Sequence, residues 1–181
     1  MTHREPTPPP RQPRGRHSPW AIDPGLLFVA VLVDALAARC CHVASRSGDA
    51  PAHPERWGWK RTVREYWILV PAISKRLKQY GEEVVWRPRG PRIGWVDDNC
   101  IDLFLDSRVA LTVARQLAGD GVAVTTRTLH KHLAARGLLC STDPTHGTFT
   151  VQRVIAGAKR QVLHLWAPTM HPAVVRLRRE S

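Results

Sequence analysis

No Cys-x-x-Cys pair occurs in this chain, and its four cysteines, Cys40, Cys41, Cys100 and Cys140, follow no disulfide or metal-ligand spacing. Cys40 and Cys41 are neighbours, and Cys41-His42 has no second ligand pair at a useful distance along the chain. Reduced thiols, no metal, no cofactor and a cytoplasmic protein are the expectations. Long apolar runs are missing too. Leu26–Val33 follows a Pro- and Arg-rich stretch, and Asp34 and Arg39 interrupt its extension, well short of the ~18–20 uncharged residues that span a bilayer. It reads as a buried helix, with no membrane partner. A G-x-x-x-x-G-K-[ST] phosphate loop is absent, which excludes a P-loop ATPase within this chain. No Ser-His-Asp or Cys-His arrangement is visible along the sequence, and His130 and His132 fall on different faces of a helix. The dense carboxylates Asp97, Asp98, Asp102 and Asp106 invite a two-metal nuclease reading, but their places fit a turn and a helix cap better. Catalytic residues are therefore not expected.

Acidic residues are scarce: 27 Lys and Arg face 15 Asp and Glu, for a net charge of +12 and a pI near 10.7. Such a balance points toward a polyanion. Its distribution says more. Residues 123–181 hold nine Lys/Arg against two Asp/Glu, residues 1–20 hold four against one, and residues 21–122 hold 14 against 12. The excess is concentrated at the two ends, which favours a site over a uniformly basic surface.

Six of the fifteen prolines lie in residues 1–19, where no apolar periodicity exists. A disordered Pro/Arg-rich arm over 1–20 is expected. Strong helix formers predict a helix over about Pro24–Ala44, with Pro24 in its first turn and a β-branched end at Cys41–Ala44 that also suits a strand. Ser45–Glu55 is a loop by its Gly, Pro and Asp content. Trp57, Trp59, Trp86 and Trp95 mark a Trp-rich β unit, in which large aromatics more often form core than stack bases. Val63–Tyr80 reads as helical in its second half, with Pro71 as a first-turn residue. Val84–Arg87, Arg92–Val96 and Ile101–Leu105 read as strands, with Asp97-Asp98-Asn99 turning between the last two.

Asp106-Ser107 caps a helix over Arg108–Ala118, with Val109, Val113 and Leu117 as its apolar stripe. After Gly119-Asp120-Gly121, Thr125-Thr126 starts another helix, in which Leu129 and Leu133 are one helical turn apart. Gly137 stops it. Thr148–Ile155 and Gln161–Trp166 are predicted strands joined by a turn at Ala156–Lys159. The fold class expected is α+β: a winged-helix-like domain over 106–167, preceded by a small mixed α/β unit over 21–105 and followed by a basic tail over 168–181. A third helix for the winged-helix core is sought near Tyr66–Tyr80 or in the first helix. With Leu129 and Leu133 inward, Thr126, Arg127, His130 and Lys131 become candidate DNA contacts. Arg153, Lys159 and Arg160 join them from the hairpin.

Five blocks resemble a known family: Trp57-Gly58-Trp59, Arg92–Asp97, Arg127–Leu133, Gly137-Leu138-Leu139 and Val162–Leu165. They are similar to the C-terminal region of replication proteins of phages, plasmids and integrated elements, which are bacterial primase- or helicase-like ATPases. The resemblance covers roughly residues 25–167. It implies a DNA-binding module beside a motor or primase, with Arg127, His130 and Lys131 as the residues carried over, and it makes Val63–Tyr80 an insertion. Lacking a phosphate loop, the chain reads as a detached tail, a remnant of a longer gene or a stand-alone derivative. The expected function is a non-catalytic DNA-binding accessory module whose partner is duplex or single-stranded DNA. Two alternatives are a protein-interaction module that docks onto a replication helicase or primase and a stand-alone winged-helix transcriptional regulator.

Overall fold

The computed structural model describes residues 23–71 and 76–171. The expected disordered arm over 1–20 and most of the basic tail lie outside the described residues. Helix α1 (Pro24–Ala37) is capped by Asp23, whose carboxylate accepts from the N–H groups of Gly25 and Leu26 at 2.8 and 3.1 Å. It ends before the predicted Ala44, and His42–Ser45 forms strand β1. After a 3-10 turn at Pro54–Trp57, β2 (Trp59–Pro71) and β3 (Arg76–Pro88) form a long antiparallel ribbon. Next come β4 (Arg92–Val96), β5 (Asp102–Leu105), α2 (Ser107–Ala118), α3 (Thr126–Ala135), β6 (Leu139–Ser141), β7 (Val151–Ile155) and β8 (Ala158–Trp166).

The helix predicted within Val63–Tyr80 is corrected here: those described residues belong to the ribbon, and Pro71 ends a strand. Continuous pairing from Trp59↔Pro88 to Pro71↔Arg76 overrides any local helical preference. The ribbon is inserted in the crossover between β1 and β4, which are parallel neighbours. Because its two ends pair with each other, the chain leaves and re-enters the body at one place. Trp59 fixes that place, donating its indole N–H to the Val43 carbonyl at 2.7 Å.

Strands run in the order β1-β4-β5-β8-β6, and β7 pairs with the first part of β8. Register places Val96, Leu103, Leu105, Leu163 and Leu165 on one face and Trp95, Phe104 and His164 on the other. The aliphatic residues join Phe28, Leu32 and Leu36 of α1, Leu111 of α2, and Leu129 and Leu133 of α3 in one buried cluster. That cluster and the sheet both run across the expected boundary at residue 105. Helix α1 packs on α2 and α3. Asp106 caps α2 as expected; of the predicted stripe Val113 is buried and Val109 packs against the core, but Leu117 is exposed, and Ala110, Leu111 and Ala114 complete the buried face. The Asp97 carboxylate accepts from the Ile101 and Asp102 N–H groups, so it closes the turn before β5. Among the described residues no helix is long and apolar enough to cross a membrane.

Candidate nucleic-acid interface

Thr125 starts α3 by accepting the Thr128 N–H on its hydroxyl at 3.2 Å. Leu129 and Leu133 are fully buried, and this fixes the rotation of the helix. Arg127 and Lys131 are consequently exposed, as their spacing predicts. They line an open cleft with Thr126 and His130, and Gly147–Thr150 form its other wall. That wall is held in shape by Asp143, which pairs with the backbone of Thr148 and meets His146 Nδ1 at 2.8 Å.

His130 departs from the outward position expected of it. It is half-buried, edge-on to Phe149 at 6.4 Å between ring centres, and its Nε2 is enclosed without a hydrogen-bond partner. Burial lowers its pKa below the ordinary imidazole value. At neutral pH His130 is therefore an uncharged cleft residue, and the cations beside it are Arg127 and Lys131.

The hairpin supplies its three cations differently. Ala156 and Gly157 make a tight turn with positive φ at both positions. The turn is tied back to the body: Ala156 N–H donates to the Arg46 carbonyl at 2.9 Å, and Arg46 donates to the Val154 carbonyl at 3.2 Å. Lys159 is exposed, whereas Arg153 and Arg160 are half-buried. Arg160 lies over the Trp95 ring at 4.9 Å, as Arg92 does at 4.7 Å, and its Nε is buried. Arg153, Lys159 and Arg160 do not line the cleft on α3. The tertiary structure thus brings together Thr126, Arg127, His130 and Lys131, and adds Phe149, which the sequence reading placed in a strand from Thr148; the strand starts only at Val151, and Phe149 lies before it on the cleft wall.

A second grouping was invisible in sequence. On the sheet face opposite the helices, His164 Nε2 is 3.0 Å from Asp102 Oδ1 and its Nδ1 is 2.7 Å from Ser141 Oγ. Cys140 adjoins them, and Asp102, Cys140 and His164 form the one group of three or more His, Cys, Asp or Glu among the described residues whose ligand atoms are close enough to hold a metal. Burial, with Asp102 nearby, pushes the Cys140 thiol up to about 11.

Comparison with known family models, curated proteins and solved structures gives no match for this chain.

Proposed function

We propose that this chain is a non-catalytic DNA-binding module of winged-helix-like build, with α3 as the helix that meets DNA and β7–β8 as the wing. The observation that carries the reading is the pair Arg127 and Lys131, exposed on the first turns of a helix whose other face is locked into the core. Cations there reach phosphates and base edges when a helix enters the major groove. The basic excess of residues 123–181, nine Lys/Arg against two Asp/Glu in the segment that contains α3, supports the same partner. Following the resemblance in its sequence blocks, the module works beside a replication helicase or primase of a mobile element.

The test is fluorescence anisotropy of the full chain on duplex and single-stranded DNA across a salt series. Arg127→Ala with Lys131→Ala is expected to weaken binding and to lower the salt slope by roughly 2, about one for each phosphate no longer neutralised. Unchanged affinity and slope in the folded double variant remove α3 from the interface.

One observation favours docking onto a partner protein as the second reading. The β2–β3 ribbon exposes Tyr66, Trp67, Ile68 and Tyr80, with Trp67 66% exposed. A two-stranded ribbon is marginal by itself, and exposed aromatics mark protein contacts. Binding that resists salt and disappears with Trp67→Ser would favour that reading over DNA.

A further inference from the structure

Strand β6 is irregular where it meets β8. Leu139 faces Leu165 and Ser141 faces His164, so β6 uses two steps where β8 uses one, and Cys140 is the extra residue. A bulge of this kind re-aims a side chain that regular alternation would send to the opposite face. At this bulge the Cys140 sulfur, an Asp102 carboxylate oxygen and a His164 ring nitrogen lie within 4.8 Å of one another. They come from three adjacent strands, β6, β5 and β8.

We propose that Asp102, Cys140 and His164 form a binding site for a divalent transition-metal ion of the zinc class. A tetrahedral centre with Zn–N and Zn–O near ~2.0 Å and Zn–S near ~2.3 Å sets its ligand atoms roughly 3.2–3.6 Å apart. The Asp102–His164 separation of 3.0 Å is already close to this, and the ion takes the place of the proton between them. Cys140 gives up its thiol proton on binding, so two protein groups become anionic ligands and one is an imidazole. A thiolate beside an imidazole favours zinc-class ions over magnesium and calcium.

The surroundings of His164 suit a ligand. Ser141 Oγ sits 2.7 Å from Nδ1 and accepts its proton when Nε2 binds the ion, which fixes the tautomer. Phe104 stacks on the ring at 4.9 Å between centres and holds its plane. Asp102 is 39% exposed, so an ion can enter from solvent, and water or a further ligand completes the fourth position. None of these residues lines the α3 cleft, so the site stands independently of the DNA-binding reading.

Cobalt(II) titration of the full chain, reduced with a phosphine, tests this. The expected result is uptake of one equivalent with a near-ultraviolet thiolate-to-cobalt charge-transfer band that zinc removes. Cys140→Ser should abolish the band, while Cys40→Ser, at an exposed thiol, should leave it. Asp102→Asn should weaken uptake, and Ser141→Ala should cost ~10–100-fold in affinity through the ring it orients. Circular dichroism verifies each variant's fold. Absence of the band in folded wild-type protein overturns the proposal. So does a band that survives in Cys140→Ser, or in Asp102→Asn at unchanged affinity should Cys140→Ser not fold.

Discussion

Asp23 and Arg136, 113 positions apart in the chain, meet at 3.1 Å between Oδ2 and Nε. The other oxygen of the same carboxylate caps α1. One side chain thus starts the first helix and anchors it beside the C-terminal end of α3, where His132 Nδ1 is also 3.5 Å away. This contact helps set the pose of α3 from below, on the side away from its cations.

Replacing that carboxylate has a defined cost. Burial alone would raise the Asp23 pKa, but the Leu26 N–H, the Arg136 side chain and the Gly25 N–H outweigh it and hold it below the usual aspartate value. A depressed carboxylate stabilises the fold above the unfolded value of about 3.9 and loses that effect as pH falls through the folded value. Asp23→Ala should cost ~0.5–2 kcal/mol, a fall in Tm of roughly 1–8 °C near neutral pH. The gap from wild type should close in strong acid. A thermal melt series across pH reads both effects, and a constant gap down to low pH would show that ionisation of Asp23 is not involved.

His130 acts in the same direction at higher pH. Its folded pKa is lowered, so its contribution is complete above the unfolded value of about 6.5 and is lost as pH falls through the folded one. Wild type should therefore lose stability on acidification from about pH 7.5 to about pH 5, and His130→Gln should lose less. Because the ring is neutral at pH 7, His130→Gln should leave the salt slope of DNA binding unchanged. Melts and anisotropy on the same variant separate the two effects.

Arg127 and Arg160 predict contrasting behaviour. Arg127 is exposed on the cleft, whereas Arg160 lies over Trp95. Arg127→Ala should change Tm by less than an equivalent of ~0.5 kcal/mol while lowering the salt slope by about 1. Arg160→Ala should shift tryptophan emission and lower Tm, because it strips the packing from the indole. If both substitutions change only DNA affinity, the stacking on Trp95 is not structural.

Gly58 is where the ribbon joins the body. Its φ is +82°, and a Cβ there would fall 2.0 Å from the Cys41 carbonyl oxygen. Gly58→Ala should cost well over ~1 kcal/mol, because both backbone strain and a clash with main chain oppose it. Gly48→Ala is the control: its φ is also positive, but nothing lies within 4 Å of the added carbon. Equal losses of Tm in the two variants would mean that the approach to Cys41 is not tight.

The ribbon also marks where sequence reading failed. Trp67, Ile68, Leu69 and Val70 form an apolar run whose period distinguishes helix from strand poorly. Only pairing with Arg76–Tyr80 makes it a strand. On α2 the i, i+4, i+8 reading found Val109 and Val113 but took Leu117, which is exposed, for a third member, and it missed Ala110 and Ala114, whose small side chains carry a weak hydrophobic signal. The Asp106 cap, the Thr125 cap, the inward Leu129 and Leu133, and the Ala156-Gly157 turn were legible because each depends on residues close together in the chain.

By itself, then, the sequence determined what is local: helix starts, the inward stripe of α3, the hairpin turn, and the positive charge that makes Arg127 and Lys131 candidates. Tertiary structure decided what depends on distant pairing. It packed α1 on α2 and α3, carried Arg160 onto Trp95, enclosed the Nε2 of His130, fastened the hairpin tip to Arg46, and gathered Asp102, Cys140, Ser141 and His164 from three strands. Caps and periodicity are encoded within a few residues, but register and sheet order arise from contacts whose partners no local pattern names.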